Sequence, residues 1–465
     1  MRILKIYFVA MLTLFAVACT HDALKEKVSD TTTIQNNQDL QIVPKEEALA
    51  LLDRFLDETY PATKSEPRRK ISTISEYYGE TPLTKANDKG EQIKIPQAYL
   101  VNFEGEKGFA VLGANNKVPD IVAVTESGAI KDDLSVVVKK RVAPTNYGDD
   151  DSDFDEEPES NYCAEDDDYY TALLNNGNSR LSPNELIPAL IRKPLEEKLL
   201  IPESNSSGDK SNTENNEEWK TFTEKAPLVN LLWGQEEPYN KYCSRKKRNV
   251  AVGCSNIALA MIMTTNEFPT YMYINGNMMD WKEMKKEKKL DEETSSKEAQ
   301  EDITRLVWCI FRQVKKAVTK NGTLITPRQI RQRMEAYGYK NVEKLDALFY
   351  TYKMGRSISD MLAGNKPVFM SAIPGRRFKK AHSWVVDGAK YSKTEKDNYL
   401  LHCNWGWEGI YNGYFSQHCL KPERAYEYDN PDEEQSRGHR YNLHFRVITY
   451  DIPSQLPVIR SYSIK

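Results

Sequence analysis

The stretch "AVGCSNIALAMIM", residues 251–263, sets one cysteine behind a glycine at the head of an apolar run. Ile257, Ala258, Met261 and Ile262 follow Cys254 at i+3, i+4, i+7 and i+8, the spacing of an amphipathic helix. A cysteine in the first turn of a helix lies beside unpaired backbone N–H groups and the positive end of the helix dipole. Both favour the thiolate, the form that attacks a carbonyl carbon. Gly253 has no side chain to screen the sulfur from an approaching substrate. Taken alone, a cysteine on an apolar helix is more often core filler, so partners must be found before chemistry is assigned to it.

A nucleophilic cysteine takes its base from a histidine that can be distant in sequence. His382, in "KKAHSWVVDGAKY", opens a β-rich run after the polar loop 375–381, and strand alternation puts it on one face with Trp384 and Val386. Among the six histidines, His21, His402, His418, His439 and His444 have no comparable setting. The segment "LHCNWGWEGIYNGYF" (401–415) offers Asn404 as a hydrogen-bond partner for an imidazole and Trp405 as a shield for that bond. Shielding matters because a thiolate–imidazolium pair strengthens as the local dielectric falls. A tight aromatic hairpin is the plainer reading of the same residues. Gln235, in "LLWGQEEPYN", could join the Cys254 N–H as a second donor to an oxyanion. By itself it is an ordinary loop glutamine.

These signals occur in the order Gln, Cys, His, Asn-Trp, which is that of papain-like peptidases. In wording they resemble the streptopain family of secreted bacterial cysteine peptidases. The resemblance rests on Gln235 with Pro238-Tyr239-Asn240, on Ala251-Val252-Gly253-Cys254 through Met263, on Pro367-Val368 with Ala381-His382 through Ala389, and on Asn404-Trp405-Gly406-Trp407 with Gly413-Tyr414-Phe415. It implies a papain-like α+β domain, with helices first and an antiparallel sheet after. It also implies Cys254 as nucleophile, His382 as base and Gln235 as oxyanion donor. Trp405 would fill the place where papain has its orienting asparagine, which weakens the case for Asn404. Two departures stand out: Lys380-Ala381 replaces the family's glycine pair before the histidine, beside Arg376, Arg377 and Lys379, and a basic run, Arg245-Lys246-Lys247-Arg248, precedes the cysteine.

The elements that must position these residues are legible in outline. "EDITRLVWCIFRQVKKAV" carries Ile303, Leu306, Val307, Ile310 and Val314 on one helical stripe, and "TPRQIRQRMEAYGY" reads as a helix with Thr326 as N-cap and Pro327 at its first position. Strand-like runs follow in "KPVFMSAI", "HSWVVDGAKY", "NYLLHCNWGWEG", "GYFSQH" and "YNLHFRVITYDI". Upstream, "KEEALALLDRFLDETY" puts Ala48, Leu51, Leu52, Phe55 and Leu56 on one helical face, and "QAYLVNFEG", "KGFAVLGAN" and "DIVAVTESG" read as strands. This smaller α+β unit, residues 42–140, resembles the family's propeptide, expected to fold over the cleft as an intramolecular inhibitor.

Between the two units, residues 141–220 read as a linker. Residues 148–170 hold 12 acids, whose repulsion opposes compact packing, and 203–218 is equally polar; "SPNELIPALIRKPLEEKLL" reads as one or two short helices. At the start, Arg2 and Lys5 precede an apolar run at 6–17 that ends in Ala16-Val17-Ala18-Cys19, resembling a bacterial lipoprotein signal (1–19) before a polar tether (20–41). The net charge of −4 carries no basic stripe for nucleic acid, and the seven cysteines lack the spacing of a zinc site or disulfide scaffold, although Cys403 could pair with Cys419. The expectation is an exported cysteine endopeptidase at the bacterial cell envelope or secreted, made as a zymogen. It needs no cofactor or metal, acts on protein or peptide substrates through residues 221–453, and meets the membrane only through a lipid anchor. The rival is a non-catalytic surface lipoprotein that keeps the fold as a binding module.

Overall fold

The computed structural model describes residues 40–63, 67–79, 82–86, 92–137, 183–196, 222–245, 248–291, 293–312, 318–319, 322–323, 325–347, 352–374, 381–392, 399–419, 443–454 and 457–461. The signal, the tether up to residue 39, most of the linker, Lys246-Lys247, Val314 and the basic loop 375–380 lie outside them. No described helix is long and apolar enough to cross a membrane.

Helix α1 (Lys45–Thr59) buries Ala48, Leu51, Leu52, Phe55 and Leu56, the five residues that share its apolar face. Each buried Leu or Phe contributes on the order of 1.5–3 kcal/mol. The face lies on an antiparallel sheet of β1 (Ile71–Tyr77), β2 (Ala98–Phe103), β3 (Phe109–Gly113) and β4 (Ile121–Thr125). The last three are the expected strands. β1 was not anticipated, because it is mostly exposed and its alternation is weak. Helix α2 (Pro183–Glu196) is one element where two were possible, and it buries Leu186, Ile187, Leu190, Ile191 and Leu195.

The rest of the chain follows the helix-then-sheet order. After β5 (Phe222–Lys225) come α3 (Cys254–Asn266), α4 (Trp281–Lys286), α5 (Lys297–Phe311) and α6 (Pro327–Ala336). α6 starts as its sequence demands, with Thr326 and Gln329 forming a capping box and Pro327 in the first turn. Then follow β6 (Lys340–Ala347), α7 (Tyr352–Ala363), β7 (Val368–Pro374), β8 (His382–Ser392), β9 (Tyr399–Asn404), β10 (Gly413–Ser416) and β11 (Leu443–Asp451). α3 differs from the amphipathic helix expected: every residue from Ser255 to Thr264 is buried. It is wrapped by α4, α5 and α6 on one side and by β7 and β8 on the other.

The eleven strands form one sheet in the order β1-β2-β3-β4-β10-β9-β8-β7-β11-β6, with β5 paired to the far half of β8. Its junction is β4 against β10, where Gly413 faces Thr125, Tyr414 faces Val124 and Phe415 faces Ala123. The described part of 42–140 therefore joins the sheet at its β10 edge, side by side with the strands that carry the histidine. Apolar residues of both segments share one core, including Leu100, Phe109 and Val111 together with Trp233 and Trp405. Beyond residue 453 the chain adds a strand, Val458–Ser461, parallel to Tyr271–Ile274. Cys403 and Cys419 are both buried and not in a disulfide, so the bond considered between them is not formed.

Candidate active site

Cys254 is the first residue of α3, and the chain enters through Gly253 at φ 87°. That conformation strains any residue with a Cβ, so the glycine is required by the backbone as well as by access to the sulfur. Among the described cysteines, Cys243, Cys309, Cys403 and Cys419 are buried, whereas Cys254 is partly exposed. Burial pushes the Cys243 and Cys403 thiols up, which keeps them protonated and inert. The Ser383 backbone N–H donates to the Cys254 sulfur at 3.3 Å. A donor on the sulfur favours its charged form.

Ser383 is the second residue of β8; His382, the first, is fully buried. His382 Nε2 lies 2.9 Å from the Trp405 carbonyl oxygen. A carbonyl only accepts, so Nε2 carries the hydrogen, and Nδ1 is the basic nitrogen of the neutral ring. Trp407 stacks on the imidazole at 4.2 Å between centroids, and Trp384 and Trp405 stand at 6.2 Å. Three indoles around one imidazole keep water from its Nε2 bond.

Trp405 thus serves His382 with its main chain, and that carbonyl is held from both sides. Its N–H donates to Asn412 Oδ1 at 3.0 Å, and its indole Nε1 donates to the Tyr411 carbonyl at 2.9 Å. Asn404 has a different task from the imidazole contact considered for it. Its amide donates to the Leu231 carbonyl at 2.7 Å, and its oxygen accepts the Gly406 N–H at 3.3 Å, bracing the loop around Trp405. Gln235 is buried, and its carbonyl accepts the Val252 N–H at 2.9 Å, two residues before the cysteine. Its side-chain Nε2 donates to the Gly406 carbonyl at 3.3 Å. Gln235 is therefore tied both to the approach to Cys254 and to the loop after Trp405.

A charged cluster that sequence reasoning missed joins the two segments. His402 on β9 sits between Asp387 Oδ1 (2.6 Å from Nδ1) and Glu126 Oε1 (3.3 Å from Nε2). Tyr60 donates to Glu126 at 3.3 Å. Arg69 lies over the Tyr60 ring and donates to the Thr125 carbonyl. Burial opposes the charge on His402, but the two carboxylates more than offset it and push the imidazole up to about 10. Burial likewise opposes charge on Glu126, and His402 with Arg69 and Tyr60 brings it down to about 2. Since the histidine is raised above its ordinary 6.5, its stabilisation is complete below that value and disappears as pH rises towards about 10. The lowered Glu126 contributes above its ordinary 4.5 and loses that contribution as pH falls towards about 2. Thermal unfolding of the full chain should accordingly peak between these ordinary values, and His402→Gln should flatten the alkaline decline. An unchanged alkaline slope in that variant would remove the cluster as its cause.

Residues 233–415 match the Peptidase C10 family model. No curated protein matches the chain. Among solved structures, a cysteine-to-alanine prointerpain A fragment from Prevotella intermedia is 16% identical, over 80% of this chain and 100% of that one, with a TM-score of 0.44. Active interpain A cysteine protease from the same organism is 20% identical, over 48% of this chain and 94% of that one, with a TM-score of 0.34. The matched family segment runs from two residues before Gln235 to the end of the aromatic motif, and so contains Gln235, Cys254, His382, Asn404 and Trp405. Through this segment the chain is similar to the Peptidase C10 family, whose model it matches from residue 233 to residue 415.

Proposed function

We propose that the chain is an endopeptidase working through a Cys254–His382 dyad, made as a zymogen whose N-terminal segment, 42–140, is its own inhibitor. The observation that carries the dyad is the Ser383 N–H on the Cys254 sulfur, because it puts the residue next to the base in contact with the nucleophile. His382, with Nε2–H held by the Trp405 carbonyl, uses Nδ1 to take the Cys254 proton. The thiolate attacks the peptide carbonyl, and the imidazolium then protonates the leaving amine, giving a thioester that water hydrolyses. Gln235 and the Cys254 N–H hold the oxyanion. The strand pairing of β4 with β10 supports an N-terminal segment held by the peptidase segment itself. Export on a lipid-anchored Cys19 is part of the same reading, on the strength of the leader-like residues 1–19.

The test is labelling of the purified, activated protein with an E-64-type epoxide. One label per chain, lost in Cys254→Ala, is expected, since the other described cysteines are buried. Equal labelling of the alanine variant would overturn the assignment, and an unlabelled wild type would favour a binding module.

A further inference from the structure

We propose that Ser255 and Ser383 form a hydroxyl clamp that sets the spacing of Cys254 and His382, and that both are positioning residues for the reaction. The inference rests on the dyad reading above. Each serine directly follows one member of the pair. Their Oγ atoms lie 2.9 Å apart and both side chains are buried. Ser255 also reaches the Ile325 carbonyl at 3.3 Å, just before α6. Since that carbonyl only accepts, Ser255 donates there and Ser383 donates to Ser255, so each hydroxyl hydrogen has an acceptor.

The arrangement gives β8 two points of contact with the first turn of α3. The Ser383 N–H meets the sulfur of residue 254, and its hydroxyl meets the oxygen of residue 255. Pairing with β7 at Ala372–His382 and Ser371–Ser383 holds this end of β8 within the sheet, and the two contacts together fix its distance and tilt against α3. Successive strand side chains point to opposite faces. The clamp therefore grips β8 from the helix side, while His382 faces Trp407 and the Trp405 carbonyl. The imidazole hangs from the Cα next to Ser383, so a pivot there changes both the distance from Nδ1 to sulfur and the donor on the thiolate. A misplacement of about 1 Å at a reacting pair costs on the order of 10²-fold in rate.

Sequence reading passed over both serines because each looks like a small residue at the edge of a core. What distinguishes them is the 2.9 Å contact between residues 128 positions apart.

The experiment compares Ser383→Thr with Ser383→Val, two side chains of nearly one shape that differ in the hydroxyl. It reads kcat, KM and the pH dependence of iodoacetamide inactivation. The threonine variant should stay near wild type. The valine variant should lose about 10-fold to 100-fold in kcat at similar KM, and its inactivation inflection should move to higher pH as the N–H leaves the thiolate. Ser255→Ala should do the same, and the double variant should be no worse than either single. Equal profiles for threonine and valine, or losses that multiply in the double variant, would overturn the clamp. Should the valine variant be unstable, Ser255→Ala leaves β8 unaltered and decides alone: a wild-type inactivation profile in it ends the proposal. Activity retained in Cys254→Ala would instead sink the dyad reading, and the clamp with it.

Discussion

His382→Ala is expected to lower kcat/KM for peptide hydrolysis by on the order of 10²–10⁴, the usual worth of a positioned general base. The geometry makes the loss specific. The Trp405 carbonyl fixes the tautomer, so the ring has one basic nitrogen, and His402 is engaged elsewhere, between Asp387 and Glu126. Alanine also leaves a hole among three indoles, which destabilises the fold by itself. Circular dichroism and thermal unfolding of the variant should therefore accompany the rates, together with His382→Gln, which fills more of the space without a base. Hydrolysis within a few-fold of wild type in a folded His382→Gln protein would exclude His382 as the base. The acceptor for His382 is a main-chain oxygen, so no substitution at Trp405 deletes it. Changes there act through the indole anchor to Tyr411 instead.

Gln235→Ala should reduce kcat by about 10²–10³ with little change in KM, as expected when one of two oxyanion donors is removed. The substitution is clean for a structural reason. Gln235 holds the approach to Cys254 with its main-chain carbonyl, which alanine retains. What disappears is the amide, of which one N–H goes to the Gly406 carbonyl and the second, on the proposed reading, meets the developing charge. Steady-state rates on a chromogenic peptide separate the possibilities. A raised KM at constant kcat would make Gln235 a residue of ground-state binding and dismiss the oxyanion role.

Much of the fold was legible wherever burial imposes a period. α1 repeats apolar residues along one stripe, α5 does the same, and the start of α6 is written in its cap. β6 was missed because "KNVEKLDA" is a charged edge strand whose partner, β11, lies about a hundred residues away. The β4–β10 junction was missed for a stronger reason. It joins segments nearly three hundred positions apart through backbone groups that every residue possesses. The site divides along the same line. Cys254 and His382 are proposed from residue type and chain order, and the structure adds the Ser383 N–H on the Cys254 sulfur. Asn404 misled because its side chain suits an imidazole, yet the partner is the carbonyl of its neighbour, a group that no residue letter encodes. His402 looked ordinary because both its carboxylates are distant in sequence or on another strand.

The pairing of β4 with β10 has a consequence for any form of the enzyme without its N-terminal segment. Departure of that segment turns β10 from an interior strand into a rim, with the backbone groups facing Ala123, Val124 and Thr125 left bare. The new rim is poorly guarded. It begins at Gly413, which admits the Val124 backbone only because it has no side chain, and it continues with Tyr414 and Phe415. Rims of this composition attract other strands, and proteins ordinarily blunt them with lysine, proline or a bulge. While paired, the N-terminal segment covers this rim, and a shortened chain would be prone to clump through Gly413–Ser416 unless a second strand took its place.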